Sequence, residues 1–331
     1  MSAHPLQPSE LYEAFDDTIR NVEDLYNAIQ GLEKWIARAK PGSFVWRGVG
    51  DASHAFNSSL FRRVWWTNAR RKKQSLDDTP PPTEGELYES ETRILADAHR
   101  WGLHDTDRGR LSVLRQLAAL QHNHAPTRLI DVSLNPYIAA WFAVEQDYDP
   151  SGDPAADSED GRIFAIGTRD RLINEDSEER SWEDNLRRPW RKERTKKGGT
   201  RWTPEDWRQN TRVWIPAPAE RRIAAQHGAF LLGGAPSVKQ FPRSTHRNDW
   251  LSAEDARRAT SVPLRFHKLD PKRGGVVAEG SPVYTWRIEA AAKASIREHL
   301  ETRFGYGTSR IYPDYPGFGK FGTPWLATDP P

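Results

Sequence analysis

At 331 residues the chain is long enough for one large domain or two ordinary ones. Hydrophobic residues at 37% beside charged residues at 28% call for long polar surface segments around a core that is nonetheless real. The net charge of +2 is too small to imply nucleic-acid binding by itself, and the absence of cysteine excludes disulfides, thiolate metal sites and a cysteine nucleophile.

The first residues, MSAHPLQPSELYEAFDD, have neither the basic nor the apolar region of a signal peptide, and no run approaches the ~18 apolar residues of a membrane span. A soluble, cytoplasmic protein without a membrane partner is expected. Residues 1–9 read as a tail. Residues 10–40 read as an N-terminal helical region, because Leu11, Phe15, Ile19, Val22, Leu25, Ile29, Leu32 and Ile36 recur at three- and four-residue steps. After Pro41-Gly42, Phe44 to Trp46 reads as a strand running into Arg47-Gly48, and RRKKQSLDDTPPPTEG (70–85) as a polar, proline-rich loop. Helical pattern resumes at about 86–99 and again in LSVLRQLAALQH (111–122), which Ala125-Pro126 stops.

TRLIDVSLNPYIAAWFAVE (127–145) reads as a strand that turns through Asn135-Pro136 into a helix apolar all round. GRIFAIG (161–167) reads as a strand, residues 170–212 as a charged insertion, and Phe230-Leu231 as the centre of another strand. VYTWRI (283–288) is a closing strand, AAAKASIREHLETRF (290–304) a closing helix, and residues 321–331 a second tail. Strands and helices do not alternate regularly, so the expected class is α+β, with mixed or antiparallel sheets flanked by helices.

Three places carry the residue types that ligand chemistry needs. Strand alternation puts Thr127, Asp131 and Ser133 on one face and Arg128 on the other. Polar groups leading into so buried a helix need partners or a ligand, since unpaired burial costs roughly 1–3 kcal/mol. The plain alternative is that Asp131 pairs with an arginine and Ser133 caps the turn. Arg47 before Gly48 offers a fork-shaped cation beside closely approaching backbone, which suits a pyrophosphate. Gly48-Val49-Gly50 is no dinucleotide fingerprint, for no third glycine follows. Gln226 and His227 enter an apolar strand, one suited to a hydroxyl and the other titrating near neutrality. His122 and His124 with Asp131 could supply metal ligands, but a short loop with two histidines is more often structural or surface, and no metal is expected. A separate basic stretch, Arg187, Arg188, Trp190, Arg191, Lys196, Lys197 and Trp202, has the interleaved cations and rings that track and stack single strands.

Together these segments resemble the FRG domain, named for a Phe-Arg-Gly signature. FVWRG (44–48) matches with Trp46 in the phenylalanine position, followed by SSLFRR (58–63). QHNHAPTRLIDVSLNPYIAAWFA (121–143) matches almost position for position, and QHGAF (226–230) and YPDYPG (312–317) follow. The resemblance covers roughly 40–318 and implies one domain at 41–320 carrying the 170–212 insertion. The order Arg-Gly, then Ser, then a polar strand entry is also similar to the Arg/Ser/Glu order of ADP-ribosyltransferases. That likeness implies their fold, NAD as substrate and transfer of ADP-ribose to a protein or nucleic-acid acceptor. A bacterial toxin or anti-phage effector with a neutralising partner is the setting it suggests.

On that likeness Arg47 would hold the phosphates, with Gly48, Thr127, Arg128, Ser133 and His227 around the nucleotide, while Gln226 stands where the pattern has its catalytic glutamate. Glutamine supplies no negative charge. Either Asp131 or Glu289 supplies it, or the chain is a nucleotide or nucleic-acid recognition module without chemistry, with the 187–202 segment making the contacts.

Overall fold

The computed structural model describes residues 7–35, 44–106, 109–148, 155, 157–168, 172–173, 210–216, 221–237, 251–268 and 282–322. The first third holds helix α1 (Pro8–Glu13), strand β1 (Asp16–Ile19), α2 (Val22–Trp35), β2 (Phe44–Val49), α3 (Ser59–Lys72), α4 (Glu84–Arg100) and the short pair β3 (Asp105–Thr106) and β4 (Gly109–Arg110). Next come α5 (Val113–His122), β5 (Ile130–Ser133), α6 (Pro136–Ala143), β6 (Gly161–Gly167), β7 (Leu172–Ile173), β8 (Arg212–Trp214), α7 (Arg221–Ala225) and β9 (Gly228–Leu232). The chain then adds α8 (Ala253–Ala259), β10 (Arg265–Phe266), β11 (Pro282–Ile288), α9 (Ala290–Phe304), α10 (Thr308–Ile311) and α11 (Tyr315–Phe321).

One mixed sheet runs β1-β11-β6-β2-β5-β9-β8-β7, and β10 also pairs with β11. β1 and β10 lie parallel to β11, and β7 parallel to β8; the other ladders of this sheet are antiparallel. The expected mixed sheet flanked by helices is therefore present. Its central strands are buried on both faces, so period-two alternation sorts their side chains between two cores. Ile163, Ala165, Tyr284 and Trp286 face α2, α6 and α9. Phe164, Ile166, Val45 and Val283 face α1 and α8.

The periodic region at 10–40 is not wholly helical. Its middle is β1, paired residue for residue with Thr285 to Ile288, and α2 starts afresh where the Asn21 side chain accepts from the Asp24 N–H at 2.8 Å. Residues 70–72, expected in a polar loop, complete α3. Ser58 caps its start by accepting from the Phe61 N–H, and Lys73 ends it in the left-handed conformation. α6 starts as the Asn-Pro pair requires, with the Asn135 side chain accepting from the Tyr137 N–H at 2.9 Å. The basic stretch Arg187 to Trp202 lies outside the described residues. No helix among the described residues is long and apolar enough to cross a membrane.

Candidate functional site

Two neighbouring strands part at the middle of the sheet. β2 and β5 share a single registered pair, Trp46 with Ser133, although β2 pairs with β6 along its whole length and β5 with β9 along its own. Past Trp46 the ladder does not continue, and Arg47 crosses to β5 with its side chain instead: Nη1 donates to the Asp131 carbonyl at 2.6 Å. The guanidinium lies over the Phe56 ring at 5.6 Å.

A cavity of about 300 Å³ opens here. Arg47, Asp131, Ser133 and Gln226 line it, with Gln121, His122 and His124 from the end of α5, Arg222 from α7 and Tyr312 beyond α10. It adjoins a more open cavity of about 1250 Å³ beneath the C-terminal helices, which shares His122, Arg222 and Tyr312.

Each side chain is held by a traceable contact. The Asp131 carboxylate accepts from Gln121 Nε2 at 2.8 Å, and Gln121 Oε1 in turn accepts from the Thr127 hydroxyl. Thr127 is fully buried and acts on the cavity through Gln121. Gln226 donates from Nε2 to the Ile311 carbonyl at 3.1 Å, which fixes the amide against the C-terminal segment. Arg222 donates to Asp314 at 2.6 Å and lies over the Tyr312 ring at 5.2 Å. The segment 311–314 is thus clamped onto the sheet by both partners.

Ser133 meets the plainer of its two expectations. Its hydroxyl donates to the Gln226 carbonyl at 2.7 Å and accepts from the Asn135 N–H at 3.0 Å, so it ties the strand entry to the turn before α6. Gly48 serves packing. A Cβ there would come within 1.8 Å of the Ala139 carbonyl, so glycine lets α6 lie directly on β2.

Two of the expected ligand-binding residues, Arg128 and His227, and the catalytic candidate Glu289 lie elsewhere. Arg128, in the bend before β5, is buried away from the cavity, where it donates to Glu91 at 2.7 Å, Glu84 at 3.2 Å and the Gly233 carbonyl at 3.2 Å. His227 is exposed and left-handed, with φ 46, and its carbonyl accepts from the Leu134 N–H at 2.9 Å. Glu289 precedes α9 and pairs with Arg20 at 3.1 Å on the surface. It does not line the cavity.

The electrostatics are those of a cleft short of anions. Burial pulls the Arg47 guanidinium below its ordinary value, with Asp131 opposing and Arg62 adding to the shift. Burial likewise lowers Arg62 against the pull of Asp131. Both guanidiniums bond backbone carbonyls, Arg47 that of Asp131 and Arg62 that of Asn57 at 2.6 Å. Arg47 thus faces the cavity without a carboxylate bonded to it among the described residues, a setting that suits a phosphate. At the far wall, burial works to raise the Asp314 carboxyl, yet bonds from Arg222 and the Gly317 N–H hold it below the ordinary range. No group of three His, Asp or Glu side chains among the described residues is placed to hold a metal.

Of the wall residues beyond the expected set, Gln121 and Tyr312 were visible only as members of the QHNHAPTRL and YPDYPG segments. Arg222 carries no such signal. Residues 42–151 match the FRG domain family model, which covers β2, α3 to α6 and the Gln121 wall. That match supports the FRG family for this part of the chain; Gln226 and Tyr312 lie beyond it. Curated proteins and solved structures returned no match.

Proposed function

We propose that this cleft binds NAD and that the chain transfers ADP-ribose to a macromolecular acceptor. The observation that carries the reading is the parting of β2 and β5, which puts Arg47, Asp131 and Gln226 on one cavity. The cavity is at the small end of the ~300–1,000 Å³ usual for ligand sites, the size for one ring and its sugar; the adjoining cavity takes the remainder of a dinucleotide.

In this reading Arg47 holds the pyrophosphate as a fork-shaped cation. Gln226 bonds a ribose hydroxyl through its remaining carbonyl oxygen. Asp131, not Gln226 or Glu289, supplies the negative charge. As the bond from ribose C1′ to nicotinamide breaks and the ring departs neutral, positive charge grows on the sugar, and a fixed carboxylate stabilises it. An acceptor nucleophile then bonds C1′ and loses its proton to solvent. Ser133 is a positioning residue that sets the Gln226 backbone. A toxin or anti-phage effector kept in check by a neutralising partner remains the setting we favour for such an activity.

Titration of the protein with NAD, with nicotinamide release followed in parallel, tests this. Arg47→Ala should weaken NAD binding about 10- to 100-fold, the worth of a charge-assisted contact of ~1.5–3 kcal/mol. Asp131→Asn keeps the Gln121 bond, so binding should stay within about threefold while release falls at least ~100-fold. Wild-type protein that binds no NAD, or an Arg47→Ala variant that binds it equally well, refutes the reading. Binding without release in the presence of cell extract leaves a recognition module and removes the transferase.

A further inference from the structure

Helix α3 carries five cationic residues and no acidic one, and its C-cap is a sixth cation, Lys73. Arg63, Arg70 and Arg71 are exposed, and among the described residues none of them pairs with a carboxylate. At four-residue spacing Arg62, Trp66 and Arg70 form one row, with Arg63 and Arg71 in the row beside it, a cationic face about 12 Å long. Trp66 stands on this face 53% exposed, with the Arg70 guanidinium 5.7 Å from its ring centroid. Of the nearby acids, Glu86 accepts from Asn68 of this helix at 2.9 Å and from the Thr83 N–H at 2.8 Å, and Asp78 accepts from Ser75 at 2.7 Å. A core explains Leu60, Phe61 and Ala69 on the inner side of the helix, but it does not explain this outer face.

The face leads to the cleft. At the start of α3 the Leu60 N–H donates to the Thr127 carbonyl at 3.0 Å, which fixes the helix to the lead-in of β5. Arg62, the first cation of the row, donates to the Asn57 carbonyl at 2.6 Å just before the helix, and the charge of Asp131 opposes the lowering that its burial causes.

We propose that the outer face of α3 is a docking track for single-stranded nucleic acid and leads one nucleotide toward the cleft. Regularly spaced cations suit a phosphate backbone, and an exposed tryptophan backed by arginine suits a base whose face is free. Single strands are specified because the paired, stacked bases of a duplex offer no free face to Trp66. Docking stands independently of the cleft chemistry; naming this polymer as the acceptor rests on the transferase reading above.

The test is fluorescence anisotropy of labelled 20-nucleotide single strands, DNA and RNA, beside the matching duplexes and phosphatidylserine vesicles, at several salt concentrations. Single strands should bind more tightly than duplexes, with a slope of log K against log salt of about −3, as four phosphate contacts give. Arg63→Glu/Arg70→Glu/Arg71→Glu should weaken binding at least ~30-fold and flatten the slope to about −1. Trp66→Ala should weaken it about tenfold without changing the slope.

The milder Arg63→Gln/Arg70→Gln/Arg71→Gln variant, with an unchanged circular dichroism spectrum, separates lost contacts from lost folding; equal binding by this folded variant overturns the proposal. So does equal binding of duplex and single strand, or binding to vesicles alone. NAD binding measured on the same samples keeps the two claims apart. Oligonucleotide binding without NAD binding fails the cleft reading only, and NAD binding without oligonucleotide binding fails this inference only.

Discussion

Glu145 lies just past α6 with one carboxylate oxygen accepting from the Tyr312 hydroxyl at 3.2 Å and the other, Oε1, buried without a hydrogen-bond partner among the described residues. Burial pushes its pKa up to about 7, against the opposing bond from Tyr312 and the charge of Lys320, while Asp147 adds to the rise. The folded state therefore holds a proton that the unfolded chain has lost above about pH 4.5. The sign follows: stability falls as pH rises from about 4.5 to about 7 and stays reduced above that range. Glu145→Gln keeps an acceptor for Tyr312 and removes the charge. It should match the wild type at pH 4.5 and exceed it by about 1–3 kcal/mol at pH 8, read from urea unfolding at the two values. A variant advantage that is the same at both pH values would show that charge is not the cause. Since Tyr312 lines the cleft, the same carboxyl bears on the wall that holds Gln226.

At the scale of elements, the contact that shapes the cleft is α6 lying on the sheet without intervening side chains. Gly48 and Gly161 both sit under its backbone, where a Cβ would come within 1.8 Å of the Ala139 carbonyl and 2.2 Å of the Ala143 carbonyl. Backbone atoms in a buried helix cannot retreat as a flexible side chain can. Gly48→Ala should therefore cost about 3 kcal/mol or more, seen as a lower urea midpoint or as insoluble protein. Gly50→Ala is the control: the nearest atom to its Cβ would be the Phe142 carbonyl oxygen at 4.0 Å, and the change should be nearly neutral. An equal response of the two positions would remove close packing as the reason for glycine at 48. The start of α6 was legible in Asn135-Pro136, because a cap is made within three residues. The strand β1 was not legible, because Asp16 to Ile19 is extended only by pairing with β11, more than 260 residues along the chain.

Across the whole molecule, the N-terminal segment is part of the central structure. Tyr12 donates to the Ala259 carbonyl at 2.6 Å and accepts from the Phe56 N–H at 3.0 Å, so α1 joins the start of the α3 region to the end of α8. Arg162, on β6 and 1% exposed, pairs with Asp16 of β1, donates to the Ala52 carbonyl at 3.1 Å and lies over the Tyr12 ring at 4.8 Å. Removing one partner of such a pair leaves a buried charge uncompensated. Asp16→Ala should lose about 3–5 kcal/mol in urea unfolding, with the transition still a single step because both cores share this sheet. A loss below about 1 kcal/mol would mean that the segment docks without supporting the rest.

The sequence by itself determined what is made locally: the helices at 113–122, 136–143 and 290–304, the strands around Phe164 and Phe230, and the order of Arg47, Asp131, Ser133 and Gln226 along the chain. Periodicity, caps and a proline act within a few residues, so they can be read in one dimension. Only the tertiary structure decided how those side chains are used. Ser133 spends its hydroxyl on the carbonyl of Gln226, 93 residues on; Glu289 goes to Arg20; and Arg222, which no local pattern announces, joins Tyr312 in the cavity wall. A hydroxyl or carboxylate can take any of several partners; pairing of β5 with β9 brings the Gln226 carbonyl to Ser133, and pairing of β1 with β11 brings Arg20 to Glu289.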